Sequence, residues 1–164
     1  MILKEDSSEQ KLRGAYYTPL KLAKKMVDFF KDDLSIKSIL EPSCGDGVFV
    51  DALLESQFLS QHKRVTAIEI EKKEAEKLSE KLKDNSNIDV VNGDFFEFYH
   101  KHKDMDTYDL ILGNPPYIRY QYLEEKQRSE MAEILTSHGM KANKLINTYL
   151  FLILNKFPFL FHLP

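Results

Sequence analysis

Short apolar runs alternate along this chain with stretches whose apolar residues recur at helical spacing. After a polar lead-in at residues 1–13, apolar side chains from Leu20 to Phe30 predict an amphipathic helix that begins near Thr18-Pro19. Strands alternating with helices predict βαβ units, and therefore an α/β fold with a mostly parallel sheet that binds ligands at the carboxyl ends of its strands. The predicted strands are 38–40, 65–68, 88–91 and 110–112, with helices from about Val48 and along the stripe Ala75, Leu78 and Leu82.

Composition narrows the class of protein. The 164 residues are 43% hydrophobic and 12% aromatic, which suits one folded domain, and the net charge of −3 excludes a small polycationic protein that coats DNA. Residues 110–164 carry 6 basic and 4 acidic side chains, a balance that suits an anionic partner. Cys44 is the single cysteine, the first residues lack an apolar signal core, and the apolar run 145–164 is interrupted by polar residues. We therefore expect a cytoplasmic protein without a membrane span.

Two strand ends carry features of a nucleotide-binding site. Gly45-Asp46-Gly47 lies between the first strand and the next helix, where glycine permits a sharp turn and close approach of a ligand. The dinucleotide fingerprint has a small residue where Val50 stands, so this turn alone also fits an ordinary connection. Glu69 ends the second strand, 24 residues after Gly45, where a carboxylate can accept both hydroxyls of a ribose.

The other two strand ends place acceptors beside aromatic rings. Asp94-Phe95 suits an adenine, with one acceptor for its amino group and one apolar face, but equally fits a helix cap and a core phenylalanine. Asn114-Pro115-Pro116-Tyr117 follows the fourth strand as a rigid turn whose prolines remove N–H donors and leave carbonyl acceptors. The tetrapeptide alone could be a simple turn. In register with the other three strand ends, it indicates an active site for an exocyclic amine.

In this order, the motifs resemble those of S-adenosylmethionine-dependent DNA adenine-N6 methyltransferases of restriction–modification systems, in the gamma arrangement. The segment 40–49 is similar to the cofactor loop of that family, and 14–19 resembles the motif that precedes it. The resemblance covers about residues 11–156. It implies a Rossmann-like methyltransferase fold with S-adenosylmethionine as the cofactor and double-stranded DNA as the partner.

The resemblance also implies a role for each matching residue. Thr18 and the loop 41–47 would hold the methionine end of the cofactor, Glu69 the ribose hydroxyls, and Asp94 the adenine amino group beside Phe95. Within the loop, the residues singled out are Glu41, Ser43, Gly45 and Gly47.

The fourth motif would hold the target base. Asn114 and the Pro115 carbonyl would accept hydrogen bonds from the target amine within the rigid turn that Pro116 completes. Tyr117 would stack on an adenine flipped out of the duplex, since its amine is unreachable inside the helix. Acceptors that draw the amine towards a tetrahedral geometry localise its lone pair for attack on the sulfonium methyl, so catalysis is mainly orientation and electrostatics.

The match weakens after residue 146. Asn147-Thr148-Tyr149-Leu150 resembles the next family motif, but the family usually has Phe where Leu152 stands, and Phe151 lies one position earlier. Beyond Lys156 the expected turn and fifth strand do not follow. We therefore expect residues 14–164 to form a partial, truncated catalytic domain without its target-recognition domain. Its sheet would be incomplete on the C-terminal side, with strand four as an exposed apolar edge.

These departures leave alternatives open. The chain could be a non-catalytic remnant, a subunit that needs a separate C-terminal or specificity subunit, or a methyltransferase of protein glutamine or RNA. His100 and His102 lack a third ligand, so we expect no metal. The candidates for DNA phosphate contacts, interspersed with acidic residues, are Arg119, Lys126, Arg128, Lys141 and Lys144.

Overall fold

A computed structural model describes residues 18–59, 63–102, 108–114, 123–137 and 139–141 of the chain. Helices and strands alternate over most of this length, which confirms the predicted α/β class. In chain order the elements are α1 (Leu20–Asp28), β1 (Ser38–Glu41), α2 (Val48–Glu55), β2 (Arg64–Glu69), α3 (Lys72–Leu82), β3 (Ile88–Asn92), α4 (Phe95–His102), β4 (Leu110–Ile111) and α5 (Glu125–Ser137).

The four strands form one parallel sheet in the order β3-β2-β1-β4. In the register of the sheet, Ile39 of β1 lies between Val65 of β2 and Leu110 of β4. The chain adds β2 and β3 on one side of β1 and then crosses to the other side for β4. The strand order therefore reverses between β1 and β4, the position where open α/β sheets bind their ligands.

One face of the sheet packs against α1 and α2. Ile39, Val65 and Leu110 point to this face, because successive side chains of a strand alternate between faces. They are at most 1% exposed and form a cluster with side chains of the two helices. The helical members of this cluster are Ala23 and Val27 from α1, and Phe49, Ala52 and Leu53 from α2.

A second cluster joins α2 and α3 to the same side of the sheet. Leu78 and Leu82 of α3 pack with Ala67 of β2, Val50 of α2 and Cys44 of the turn after β1. The stripe predicted for α3 is thus confirmed, since Ala75, Leu78 and Leu82 are all buried. Helix α2 contributes to both clusters, since Phe49, Ala52 and Leu53 belong to the first and Val50 belongs to the second.

The opposite face of the sheet is also buried. Leu40, Ile68 and Ile111 are at most 7% exposed, and they alternate with the residues that face α1 and α2. Strand β4 is the edge strand of the described sheet, as predicted, but its apolar side chains are buried and not exposed. Leu110 and Leu112 are nearly fully buried too, because both faces of the strand are covered.

Asp109 fastens the beginning of β4 to the beginning of β1. Its Oδ2 accepts hydrogen bonds from the backbone N–H groups of Lys37 at 2.8 Å and Ser38 at 2.9 Å, and from the Ser38 hydroxyl at 3.0 Å. Burial alone would raise the pKa of Asp109, but these donors outweigh it and lower the pKa. The carboxylate therefore fixes the position of β4, and with it the residues that follow this strand.

Helix α1 begins at Leu20, one residue after the proline that was expected in its first turn. Pro19 is extended, with φ −62° and ψ 136°, and serves as the N-cap of α1 instead of its first helical residue. Its carbonyl accepts the backbone N–H groups of Leu22 and Ala23 at 2.8 and 3.1 Å. The proline thus still starts the helix, and it leaves Thr18 just outside it.

The described residues fall into two compact units, of which 18–114 contains the sheet. The other includes α5, which begins after Glu124 and ends before Gly139, a residue with a left-handed φ of +74°. Leu123, Met131 and Leu135 are buried. None of the helices in the described part of the chain has the length and apolar character needed to cross a membrane.

Gly47 is set by packing as well as by its backbone. Its φ of +84° is left-handed, and a Cβ at this position would lie 2.5 Å from Leu78 Cδ1. Gly45 is also left-handed, with a φ of +56°, but a Cβ there would meet nothing within 4 Å. The two glycines of this turn therefore have different roles. The missing side chain of Gly47 lets α3 pack against the turn, whereas Gly45 borders open space.

We predict that Gly47→Ala lowers the free energy of unfolding by about 2–5 kcal/mol, because it adds steric overlap with Leu78 to the cost of a left-handed alanine. Gly45→Ala is the matched control and lowers it by only about 1–2 kcal/mol. Urea titration measures both values. Leu78→Ala in the Gly47→Ala background should be less destabilising than in the wild type. Equal losses for the two glycine variants would contradict this explanation.

Candidate active site

The candidate residues gather at the carboxyl end of the sheet. The turn Gly45-Asp46-Gly47 follows β1, and Asn114 comes three residues after the end of β4. These strands are neighbours and enclose the point where the strand order reverses. Glu69 ends β2 on the other side of β1, and Asp94 follows β3. The sheet therefore places the described residues of all four motifs, with Asn114 alone for the last one, along one edge.

Backbone hydrogen bonds hold the glycine turn against β2. The Cys44 N–H donates to the Ile68 carbonyl at 2.8 Å, and the Gly47 N–H donates to the Cys44 carbonyl at 2.8 Å. Burial raises the pKa of the Cys44 thiol, and neighbouring carboxylates raise it further, so this side chain is a packing residue and not a nucleophile. The turn is thus fixed, while Gly45 presents open space on one side.

Glu69 is a second attachment point of the turn. Its side chain is only 7% exposed, and its Oε2 accepts the Gly45 N–H at 2.7 Å. Its Oε1 accepts the Glu71 N–H at 2.8 Å. A carboxylate has about four lone-pair sites, so each oxygen can accept one further donor. Glu69 therefore fits a vicinal diol such as that of ribose while it holds the loop in place.

Two buried polar atoms near the end of β1 have no hydrogen-bond partner among the described residues. They are Glu41 Oε2 and Ser43 Oγ. Glu41 is 1% exposed; burial raises the pKa of its carboxyl well above the usual range, and the charges of Asp46, Asp51 and Glu69 raise it further. Unsatisfied buried polar atoms are rare in folded proteins. Their occurrence together fits a ligand that brings donors and a positive charge, as the amino-acid end of S-adenosylmethionine does.

Asp94 caps a helix. Its Oδ1 accepts the Glu97 N–H at 3.1 Å, and its carbonyl accepts the Phe98 N–H at 3.0 Å at the first turn of α4. The alternative reading of Asp94 as a helix cap is therefore present, and Oδ2 remains as an acceptor. Phe95 is half-buried, with its ring centroid 6.1 Å from that of the buried Phe96. A half-buried ring beside a carboxylate remains compatible with an adenine.

A contact over 96 positions of sequence joins the first motif to the last. The Asn114 amide Nδ2 donates to the Thr18 hydroxyl at 3.2 Å. Beside it, a Cβ at Gly113 would lie 3.4 Å from Pro42 Cδ and 3.6 Å from Glu41 Cγ. The segment after β4 thus lies directly against the end of β1, so the candidate amine-binding motif and the candidate cofactor loop are neighbours.

The sequence motifs did not identify two residues of this edge, Ile70 and Asn92. Ile70 follows Glu69 and is 63% exposed, an apolar surface next to the carboxylate. The Asn92 Nδ2 donates to the carbonyls of Glu69 at 2.8 Å and Ile70 at 3.2 Å, and the Gly93 N–H also donates to Glu69 at 3.0 Å. The available signals were an apolar residue directly after the strand-end acid and an Asn-Gly pair directly after the predicted strand 88–91.

Several predicted positions lie outside the described residues. They include most of the first motif, three of the four residues of the last motif and the segment that departs from the family. These are 14–17, Pro115, Pro116, Tyr117, 147–152 and, among the basic candidates, Arg119 and Lys144.

Of the basic candidates that are described, Lys126 lies 4.0 Å from Glu130 on α5. No group of three or more His, Cys, Asp or Glu in the described segments is arranged to hold a metal ion. The ring of His102 stacks on Phe98 at 4.1 Å between centroids. The charged side chains of the described site are therefore carboxylates, and its other polar groups are hydroxyls, the Asn114 amide and backbone groups.

Comparison with known proteins gives consistent matches. The chain is 32% identical over 128 residues to the type II methyltransferase M.HincII of Haemophilus influenzae, covering 78% of this chain and 22% of that protein. Among solved structures, a modification subunit of a putative type I restriction enzyme from Vibrio vulnificus matches with a TM-score of 0.64 at 20% identity, over 93% of this chain and 34% of that one. The methyltransferase subunit of a type I restriction-modification system from Streptococcus thermophilus matches with a TM-score of 0.64 at 17% identity, over 85% and 30%.

The chain thus spans about a fifth of the length of M.HincII and about a third of the two solved subunits. The solved structures confirm the Rossmann-like methyltransferase fold. The family model described as Eco57I restriction-modification methylase matches residues 15–158. The members of this family are enzymes that depend on S-adenosylmethionine. This is the cofactor that the sequence motifs implied. Because the match covers most of the sequence, the chain belongs to the Eco57I restriction-modification methylase family.

Proposed function

We propose that this chain carries the cofactor-binding and catalytic part of a DNA adenine-N6 methyltransferase of a restriction–modification system, acting in the cytoplasm. The observation that supports this most is the hydrogen bond between Asn114 and Thr18, together with the contact of Gly113 against Glu41. It brings an acceptor for an amine next to a loop suited to S-adenosylmethionine. Methyl transfer needs these two sites side by side, since the reacting atoms must approach in line.

On the cofactor side, each residue has a distinct task. Glu69 accepts the ribose hydroxyls while it holds Gly45, and Gly45 leaves room for the ligand beside the turn. Glu41, Ser43 and Thr18 bind the methionine end, where two buried acceptors await donors. Gly47 keeps the turn close to α3. Bound S-adenosylmethionine supplies a methyl group on a sulfonium, the electrophile of the reaction.

On the cofactor's other end, Asp94 and Phe95 bind the adenine ring. The capping bond occupies Asp94 Oδ1, so Oδ2 accepts from the amino group of the ring. The exposed side chain of Ile70 offers a further apolar surface beside Glu69. The ring of the cofactor would thus lie between the ends of β2 and β3.

On the substrate side, Asn114 directs its carbonyl towards the target amine. The amide group has one donor end and one acceptor end, and the donor end lies against Thr18. With the Pro115 carbonyl it accepts the two amine hydrogens, and Tyr117 stacks on the flipped adenine within the turn that Pro116 stiffens. These acceptors hold the amine in a tetrahedral geometry and need no strong base.

Transfer of labelled methyl groups tests the proposal. Unmethylated DNA, RNA and protein are incubated with the chain and S-adenosylmethionine, and the DNA is digested for mass analysis of its nucleosides. N6-methyladenine in DNA is the expected product. Labelling of RNA or protein glutamine instead of DNA would overturn the choice of substrate. Failure of the folded chain to bind S-adenosylhomocysteine in calorimetry would mark a non-catalytic remnant.

A partner-dependent subunit is the second candidate, because the two solved structures named above are described as subunits of type I systems. In that case the chain binds S-adenosylhomocysteine but transfers no methyl group alone. Addition of a separately produced C-terminal or specificity subunit then restores transfer to DNA. Full activity of the chain alone would contradict this alternative.

Glu69→Gln should weaken binding of S-adenosylhomocysteine by about 10- to 100-fold, because the amide replaces an acceptor by a donor opposite a backbone N–H. Glu74→Gln is the matched control, since Glu74 forms an exposed ion pair with Lys77 on α3 and should leave affinity unchanged. Isothermal calorimetry measures both. Equal affinities of the two variants would argue against Glu69 as a ligand of the cofactor.

Thr18→Val keeps the side-chain volume but removes the hydroxyl that accepts from Asn114. We predict a methyl-transfer rate about 3- to 10-fold lower at saturating cofactor, the loss of one neutral hydrogen bond. Thr18→Ser retains the hydroxyl and should restore most of the rate. The transfer assay above measures both variants in the assembly that is active. A Thr18→Ser variant as slow as Thr18→Val would show that the methyl group matters instead.

A further inference from the structure

Glu41 is the last residue of β1 and is enclosed by the fold. Its side chain points to the same face as Ile39, towards the helices, and is 1% exposed. The segment after β4 covers it, since a Cβ at Gly113 would lie 3.6 Å from Glu41 Cγ. Among the described residues its Oε2 has no hydrogen-bond partner, and Ser43 Oγ nearby has none either. A carboxyl group is thus held at the site with one oxygen unsatisfied.

The titratable groups that face Glu41 are acidic. Asp46 of the glycine turn, Asp51 of α2 and Glu69 of β2 act on it, and none of the described cations does. Lys81 of α3 is close to this group, but it pairs with Asp51 at 2.5 Å. The Cys44 thiol is buried beside it and neutral. A second negative charge here would be both desolvated and repelled, so the ionised form of Glu41 needs a cation from outside.

We propose that Glu41 carries a proton in the free chain and exchanges it for the ammonium group of the cofactor, so that it selects ligands with a positive amino end. The proposal rests on the function proposed above. In the exchange, the O–H bond of the carboxylic acid breaks, its proton passes to solvent, and the carboxylate accepts an N–H of the ligand's ammonium. Charge at the buried position stays balanced, from a neutral acid to a carboxylate–ammonium pair.

The exchange predicts a pH dependence with a definite sign. Because burial raises the pKa of Glu41 in the free chain, binding of a cation releases a proton, and affinity rises with pH. The rise approaches tenfold per pH unit below the pKa of the free chain and levels off above it. A ligand without an ammonium group gains nothing from ionised Glu41, so its affinity does not rise with pH.

Calorimetry at about pH 6.5 in buffers of different ionisation enthalpy counts the protons released on binding. S-adenosylhomocysteine, which has the complete amino-acid end, should release protons on binding, up to one per ligand bound. 5′-Methylthioadenosine lacks that end and should release none. Glu41→Gln should abolish the proton release and weaken the binding of S-adenosylhomocysteine by about 10- to 100-fold. The affinity for 5′-methylthioadenosine should stay unchanged. Glu74→Gln on α3, whose carboxylate pairs with Lys77 and does not act on Glu41, should leave the proton count as in the wild type.

Stability of the free chain gives a readout without ligand. Glu41 binds its proton more tightly in the folded than in the unfolded chain, so the folded state loses stability as pH rises above the ordinary range of a glutamate. Urea titrations between about pH 5 and pH 8 should show the wild type losing stability relative to Glu41→Gln. Glu74→Gln should follow the wild type, because this carboxylate does not act on Glu41. Parallel pH profiles of wild type and Glu41→Gln would overturn the protonated state.

The outcomes separate the two proposals. Failure of both ligands to bind the folded chain overturns the proposed function and this inference with it. Binding of S-adenosylhomocysteine without proton release, or with the same release in Glu41→Gln, overturns the exchange alone. Release of a proton on binding 5′-methylthioadenosine would also overturn it, because the proton would then come from a group that does not read the ammonium.

Discussion

The parallel pairing of β1 with both β2 and β4 is the constraint on which the site depends. It makes β1 central and requires the chain to cross over it, so that the turn after β1 and the segment after β4 meet at one edge. The carboxyl ends of parallel strands lie side by side and stay accessible to a ligand, because the crossover helices cover the two faces of the sheet. Every candidate group therefore faces the same opening, although the groups are far apart in sequence.

Side chains then turn this opening into a rigid site. Glu69 takes the central part, because it accepts backbone N–H groups on both sides and can still accept two donors from a ligand. Asn92 and Gly93 fasten β3 to the end of β2 in a similar way. At the other end of the sheet Asp109 fixes β4 to β1. Hydrogen bonds from strand ends thus position the site, together with the packing of Leu78 around the glycine turn.

Sequence patterns predicted the strands, the α3 stripe and the strand-end positions of Glu69 and Asn114, because apolar spacing and punctuation by Gly, Pro and Asn are local signals. The contacts that make a site of them are not local. The Thr18–Asn114 hydrogen bond and the approach of Leu78 to Gly47 depend on how the elements pack. The exposure of β4 was mispredicted for the same reason. The sequence motif identifies Glu41 as a candidate residue. Only the structure shows that its side chain is buried and that its Oε2 has no hydrogen-bond partner among the described residues.

The distribution of satisfied and unsatisfied groups is itself informative about function. A buried polar atom without a partner costs about 1–3 kcal/mol, a large share of the stability of a small domain. Along the described strand ends, Glu69, Asn92 and Asp109 are all hydrogen-bonded. Glu41 and Ser43, separated by one proline, are the exceptions. Random imperfection would scatter such defects. Two of them beside an open glycine turn indicate a place where a ligand completes the structure, and where the free chain gives up stability in order to bind it.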